Sequence, residues 1–356
     1  MPGYGHLVPR VRRGMKMLSG HVYRRLFKAR WRCDGRLKVL IEEGAGFSSV
    51  EWLQSLDHEF SGWQRGAEVR FVDSRLRRQA LALDMDVYVG SGLAPDLAGS
   101  ATALKWIHLT LAGVDSLGGV GLPARVIVTT SAGISASGVA EHVAGLLIAL
   151  DRRLDLAILR QLQWKWGQIG IVDCMRGLKG RTVGIVGLGH NGRAVALVAG
   201  LLGMRVIGLD RNSDLVIGGL EALYAPDRLL DLLHESDFVV LCVPLTRETR
   251  GLIGRAELEA LGSESYLVNV ARGQVVDESA LAWALRNGVI AGAAVDVMSV
   301  EPPPRSHPLR GCPNLIVTPH VAGNMYTFRD AIRSRFVRNL RAFLEGKELE
   351  GLYNRI

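Results

Sequence analysis

The sequence predicts an α/β protein of two domains, the second built on a doubly wound parallel sheet. Three observations carry this expectation. At 356 residues the chain is long enough for two domains of ordinary size. Short, almost wholly apolar strands alternate with helical stretches through its second half, the pattern of a parallel sheet covered on both faces. One of those strands runs directly into the glycine loop Gly187-Leu188-Gly189-His190-Asn191-Gly192.

The elements follow in order. RLKVLIE (36–42), AEVRFVD (67–73), DVYVG (86–90), LKWIHL (104–109) and RVIVTT (125–130) are strand candidates separated by polar or helical segments, so the first half reads as a small α/β domain. From Ser135 to about Gln163 apolar residues recur at helical spacing (Val139, Val143, Leu146, Leu147, Leu150, Leu154), predicting one long helix. Strand TVGIVG (182–187), a helix from about Asn191 and strand RVIGLD (205–210) come next. FVVLCV (238–243), SYLVNV (265–270), GAAVDV (292–297) and NLIVT (314–318) complete the strand set. The last segment, Tyr326 to Leu344, reads as a basic amphipathic helix whose Arg329, Arg333, Arg335, Arg338 and Arg341 form a solvated face.

Composition excludes several function classes. Hydrophobic residues at 48% and charged residues at 22% are those of a soluble globular protein. The net charge of +8 is not spread over the chain: residues 1–38 hold eleven Lys and Arg against the single acid Asp34. The remainder is slightly acidic and gives no charge argument for a nucleic-acid partner. Residues 1–35 therefore read as a basic extension, disordered or the product of a start site upstream of Met15 and Met17, with a mitochondrial presequence as the alternative. The apolar stretches, such as Ala194 to Met204, are too short to span a bilayer. Cys33, Cys174, Cys242 and Cys312 are scattered without a CxxC or Cys/His cluster, which argues against a metal site or a disulfide framework and fits a reducing, cytoplasmic location.

The glycine loop leaves an apolar strand and opens a helix, the arrangement needed if a helix N-terminus is to hold a pyrophosphate. The next strand ends at Asp210, where a carboxylate accepts the ribose hydroxyls of NAD and repels the 2′-phosphate of NADP. Arg211 beside it pulls the other way, which keeps NADP as the alternative cofactor. A glycine-rich turn without a ligand is the plainer reading of the same residues.

Three polar residues follow strands of this half: Arg272 after 265–270, Glu301 after 292–297 and His320 after 314–318. Parallel strands bring their carboxyl ends to one edge, so residues far apart in sequence can converge there. A 2-oxo acid needs a cation for its carboxylate and carbonyl, the part of Arg272. It needs a proton donor at the carbonyl oxygen, the part of His320, and a carboxylate that orients the ring and pairs with the imidazolium, the part of Glu301. Taken singly, Arg272 reads as an arginine snorkelling beside a turn, Glu301 as a loop acid and His320 as a surface group.

The ordered motifs LKWIHLTLAGVD, VAEHVAGLLIALDRRL, GLKGRTVGIVGLGHNGR, VPLTRETRGLI, VNVARGQVVDESAL, AVDV, EPPP and TPHVAG resemble those of the D-isomer-specific 2-hydroxyacid dehydrogenases, across about residues 36–356. The resemblance implies two Rossmann-like domains with the active site in the cleft between them, and a homodimer. It implies a substrate domain over 36–134, an NAD-binding domain over 135–323, and a C-terminal helix (324–356) returning to the first domain. It places Arg272, Glu301 and His320 on catalytic positions. Gly187, Gly189, His190, Asn191, Gly192, Asp210, Arg211, Val243, Pro244, Val270, Ala271, Asp296 and Gly323 fall on the cofactor side. Ser91, Gly92, Ala112 and Gly113 fall on substrate loops. The implied partner is a small 2-oxo or 2-hydroxy acid of the glyoxylate or hydroxypyruvate kind, with neither nucleic acid nor membrane. Asn191, Leu111 and the run Asn324-Met325-Tyr326 depart from the family's usual residues, so the resemblance does not fix the substrate's side chain. An NAD-sensing corepressor-like binding protein and a phosphite-type dehydrogenase on the same scaffold are the alternatives. The end of the chain at Ile356 without a long tail weighs against the first of these.

Overall fold

The computed structural model describes residues 37–42, 67–72, 85–92, 102–118, 120–167, 171–212 and 214–353; the basic extension over 1–35 lies outside them. The chain divides into two compact units, Met1–Thr130 with Ile332–Ile356, and Ser131–Ala331.

The first unit holds a five-stranded parallel sheet in the order β2-β1-β3-β4-β5, from β1 (Leu37–Glu42), β2 (Ala67–Val72), β3 (Val87–Gly90), β4 (Trp106–Leu109) and β5 (Ile127–Thr129). Every residue of β3 and β4 is buried, which explains why these strands read as apolar runs rather than as an alternation.

The second unit opens with helix α1 (Ala136–Asp151) and a shorter α2 (Leu154–Leu162). It then builds a seven-stranded parallel sheet in the order β12-β11-β10-β9-β6-β7-β8. Its strands are β6 (Thr182–Val186), β7 (Arg205–Leu209), β8 (Leu220–Tyr224), β9 (Phe238–Leu241), β10 (Tyr266–Asn269), β11 (Gly292–Val295) and β12 (Leu315–Val317). Helices α3 (His190–Leu201), α4 (Leu229–Glu235), α5 (Arg255–Leu261) and α6 (Glu278–Arg286) connect them. β6, β9, β10 and β11 are buried along their whole length, and an apolar cluster covers each face of the sheet. The strand order reverses between β6 and β9, the point in an open parallel sheet where loops splay apart and leave a crevice.

Four features differ from the sequence reading. The long helix expected over 135–163 is two helices. Arg153 adopts a left-handed conformation (φ 50°) between them, while its guanidinium pairs with Asp155 and donates to Asn314 Oδ1 at 2.9 Å. Helical periodicity continues past the break because α2 is also helical, so the break leaves no mark on the pattern. β8 was not anticipated; it is an edge strand, mostly half-buried, so its residues lack the continuous apolar signature. The final helix, α7, begins at Phe328 rather than Tyr326 and runs to Leu344. Its arginines do not all face solvent: Arg335 is largely buried, lies 3.6 Å from Glu350 and donates to the Thr130 carbonyl.

α7 is amphipathic because it must cover the first sheet. Ile332, Phe336, Asn339, Leu340 and Phe343 form its buried stripe, and Phe336 and Phe343 stack on Trp106 at 5.6 and 5.4 Å. Asn339 is also buried, and its amide takes both main-chain groups of Glu350, turning the chain back. The returning segment then donates Tyr353 N to Val128 O at 2.9 Å.

His108 lies in this core. Thr129 Oγ1 is 2.8 Å from its Nδ1 and also accepts from Trp106 Nε1 at 2.9 Å. Burial, reinforced by the nearby Arg335 charge, lowers its pKa from 6.5 to about 3. The folded state therefore keeps this imidazole neutral where the unfolded chain protonates it. Its contribution is intact above pH 6.5 and is lost as the pH falls toward 3, at about 1.4 kcal/mol per unit. In a wild-type and His108→Leu pair, denaturant unfolding of the protein at pH 7.5 and 4.5 should show wild type losing about 3 kcal/mol more than the variant. Parallel losses would mean that His108 is protonated inside the fold.

Candidate active site

The seven-stranded sheet places its loops by topology. All strands run the same way, so the segments after β6, β9, β10, β11 and β12 leave from one edge. Those segments carry the glycine loop, Val243-Pro244, Val270 to Arg272, Asp296 to Glu301, and Thr318 to Gly323.

His320 and Glu301 meet there. His320 Nδ1 lies 2.7 Å from Glu301 Oε2, with side chains 51% and 37% exposed. An ionised carboxylate only accepts, so the proton in this contact sits on Nδ1 and leaves Nε2 as the ring nitrogen that can exchange a proton with a bound molecule. The other oxygen of Glu301 accepts from Met298 N at 2.8 Å, which sets the carboxylate plane. His320 itself has φ 53°, a left-handed conformation that disfavours any side chain with a Cβ. Its main-chain N–H donates to Asp296 O at 2.8 Å. The buried Asp296 carboxylate accepts from Thr318 Oγ1 (2.6 Å), Val321 N (2.9 Å) and Ala322 N (3.0 Å). The Asp296 carboxylate thereby organises the loop that carries His320.

Arg272 follows β10 in extended conformation and is half-buried, with Nη1 donating to its neighbour's carbonyl at Ala271 (2.7 Å). The Asn269 side chain closes the turn around it, accepting from Ala271 N and donating to Arg272 O, each at 3.0 Å. Gly273 is required by contact: a Cβ there would fall on the backbone of Met298 and Ser299. Every polar group of Ser299 is tied, its N–H and hydroxyl to the Glu278 carboxylate and its carbonyl to the Gln274 amide at 2.9 Å. The Arg272 turn is thereby locked against the loop that bears Glu301. Glu278, Gln274, Asn269 and Thr318 did not stand out in the sequence; their importance lies in partners 2 to 176 positions away.

The glycine loop opens α3 without a side-chain cap. Gly187 is left-handed (φ 94°), and a Cβ on Gly192 would fall on the Gly187 carbonyl oxygen. A Cβ on Gly189 would meet nothing within 4 Å, so the space in front of the helix N-terminus is open to a ligand. His190 is exposed, its ring against the left-handed turn at Gly133, and Asn191 is half-buried. Asp210 Oδ2 accepts from Leu188 N at 2.8 Å and Oδ1 from Asn212 N at 3.0 Å. Each oxygen keeps a lone pair for a ribose hydroxyl. Arg211 is exposed beside it. Val243 is half-buried against Gly187, Pro244 is exposed, Val270 and Ala271 are buried, and Gly323 packs on Ser135. An open glycine loop before an uncapped twelve-residue helix, with a carboxylate at the next strand end, fits a dinucleotide.

The remaining candidates lie in the first unit. Ser91 donates through its backbone to Glu42 Oε2 at 3.1 Å, and Tyr88 Oη bridges Glu42 (2.8 Å) and the Gly92 carbonyl (2.9 Å). Ala112 and Gly113 lie in the bend after β4, exposed and half-buried. Glu42, buried at the end of β1, was not anticipated as the anchor of the Ser91 loop.

Comparison with known proteins agrees with this architecture. Residues 144–322 match the family described as D-isomer specific 2-hydroxyacid dehydrogenase, NAD binding domain. A glyoxylate reductase of Thermofilum pendens is 37% identical over 238 residues, covering 65% of this chain and 68% of the relative. The crystal structure of a D-isomer specific 2-hydroxyacid dehydrogenase family protein from Aeromonas salmonicida is 30% identical with a TM-score of 0.75, covering 90% of this chain and 99% of the other. An NADPH-dependent glyoxylate/hydroxypyruvate reductase from Sinorhizobium meliloti, solved with NADP and sulfate, is 26% identical with a TM-score of 0.74, covering 90% and 98%. With half of its length matched to the family and a relative above 30% identity spanning two thirds of its own length, the chain belongs to the D-isomer specific 2-hydroxyacid dehydrogenase family.

Proposed function

We propose that this 2-hydroxyacid dehydrogenase interconverts a D-2-hydroxy acid and its 2-oxo acid, with glyoxylate- or hydroxypyruvate-type substrates. Arg272 holds the substrate anion and His320, paired with Glu301, is the acid/base. The observation that carries this reading is the 2.7 Å contact between His320 Nδ1 and Glu301 Oε2 on the sheet edge that also bears the glycine loop. A nicotinamide cofactor bound at the glycine loop would supply or take the hydride at C2. His320 Nε2 gives a proton to the carbonyl oxygen in reduction and takes it back from the hydroxyl in oxidation. The guanidinium of Arg272 pairs with the carboxylate and polarises the carbonyl. Small substrates are favoured by the names of the similar proteins, a glyoxylate reductase and a glyoxylate/hydroxypyruvate reductase. The reading includes a homodimer, supported by the exposed apolar residues of α2 and its continuation: Leu162 is 74% exposed, Trp164 97% and Trp166 99%.

His320→Ala should lower kcat at least about a hundredfold while NADH binding is kept. Near-native turnover on the fastest of a panel of 2-oxo acids would remove His320 from the mechanism. Arg272→Ala should lower kcat/KM for the oxo acid by about ten- to a hundredfold, the weight of a lost charge-assisted pair. Unchanged kcat/KM would return Arg272 to a plain turn residue.

Cofactor choice follows from Asp210 and Arg211. The carboxylate is fixed by two backbone amides, whereas Arg211 is exposed, so the carboxylate's repulsion of a 2′-phosphate should prevail. The expected result is higher kcat/KM with NADH than with NADPH. Asp210→Ser should move the ratio toward NADPH, and should also lower the NADH value because Leu188 N loses its acceptor. A tenfold preference for NADPH in the unmodified enzyme would show that Arg211 dominates.

A further inference from the structure

We propose that His142, on the second turn of α1, is a positioning residue for His320, acting through Thr318 and Asp296. The proposal rests on the reading of His320 as the acid/base.

His142 Nε2 lies 3.0 Å from Thr318 Oγ1, and Thr318 Oγ1 lies 2.6 Å from Asp296 Oδ1. The direction of this chain is settled by donor count. A carboxylate accepts only, so the single hydroxyl proton of Thr318 points at Asp296. Thr318 Oγ1 must then accept from His142, which carries a proton on Nε2. The same Nε2 is 3.7 Å from Asp296 Oδ1, so the imidazole sits over the carboxylate as well as over the hydroxyl.

What this chain holds is the loop 318–322. Asp296 Oδ1 receives Val321 N and Oδ2 receives Ala322 N, while the Asp296 carbonyl receives His320 N. Every contact ends on one residue, and the residue in the middle of the loop has φ 53°. A left-handed conformation at a residue with a Cβ is unfavourable and persists only where surrounding bonds over-determine it. Those bonds orient the His320 ring toward Glu301. With His142 removed, the Thr318 hydroxyl loses its donor, and the two-donor clamp on Asp296 Oδ1 loses the group that aims one of its members.

Packing alone does not call for a histidine here. Val139, Val143, Leu146 and Leu147 form the buried face of α1, and the side chain of His142 remains 21% exposed at the margin of that face. An alkyl side chain would fill the position. Only a donor at Nε2 reaches the Thr318 oxygen.

The test uses the full-length enzyme with NADH and the 2-oxo acid it reduces fastest. His142→Ala, Thr318→Val and the double variant are compared with wild type, with His142→Gln as the variant that retains a terminal N–H. Both single variants should lower kcat by about five- to thirtyfold, with KM for NADH within about twofold of wild type. The double variant should be no slower than the slower single one, because both changes break one chain. His142→Gln should recover most of the rate. Thr318→Val removes only the hydroxyl, so it remains informative if His142→Ala proves unstable. Native kcat in His142→Ala and Thr318→Val, or effects that multiply in the double variant, would overturn the proposal. His320→Ala separates the two ideas. If it loses turnover while His142→Ala does not, only the positioning role of His142 fails; if it turns over like wild type, the acid/base reading fails first.

Discussion

The buried carboxylate of Asp296 is the constraint on which the second unit's functional edge depends. It sits just past β11, 3% exposed, and receives a hydroxyl and two amides from the loop after β12, while its carbonyl receives the His320 amide. A loop crossing the end of a sheet exposes N–H groups that no strand partner can satisfy, and buried ones must find an acceptor. One carboxylate offers about four lone-pair sites in a small volume, and no neutral side chain offers as many acceptors without also bringing donors. Four donors from one loop therefore gather on one residue. The conformation that results puts a non-glycine residue into left-handed space and turns its ring to Glu301.

A second contact fixes the other half of the edge. Gly273 lets the backbone after Arg272 lie directly on Met298 and Ser299. Gln274 and Glu278, from the segment that follows, bind the carbonyl, amide and hydroxyl of Ser299. Glu278 also lies 3.1 Å from the buried His307, so the loop bearing Glu301 is held at two points along its length. The turn that bears Arg272 and the loop that bears Glu301 thus belong to one bonded arrangement, although 29 positions separate the two residues in sequence. Preorganisation of this kind matters because a charged group that must be reoriented during reaction loses much of its electrostatic value.

Much of this was legible in the sequence, for a definite reason. Strands buried on both faces must be apolar throughout, so TVGIVG, FVVLCV and GAAVDV declare themselves without a partner being known. The glycine loop declares itself because the steric demand is local: Gly192 faces the Gly187 carbonyl five residues away. Features that depend on distant partners were hidden. Arg153 interrupts the first helical stretch where its guanidinium reaches Asn314, and Arg335 is largely buried where the chain returns at Glu350. Asp296, His142, Glu278 and Glu42 acquire their roles from partners distant in sequence, which no short window contains. β8 escaped because an edge strand carries only a partial apolar signature.

The two units use the same device. In the first, Glu42 ends β1 beside β3 and is buried, receiving the Tyr88 hydroxyl and the Ser91 amide from the loop that follows β3. In the second, Asp296 follows β11 and receives the loop after β12. In each case an acidic side chain at the carboxyl end of one parallel strand captures the loop leaving the adjacent strand. The geometry favours this because parallel neighbours release their loops side by side and a carboxylate at the strand end sits within reach of both. An isolated buried charge would be costly, but several short donor contacts replace the lost water. The loops so captured are those on which Ser91 and His320 sit. A buried acid at a parallel strand end, bonded to the neighbouring loop, is therefore the feature that holds the loop at a sheet edge in a fixed conformation.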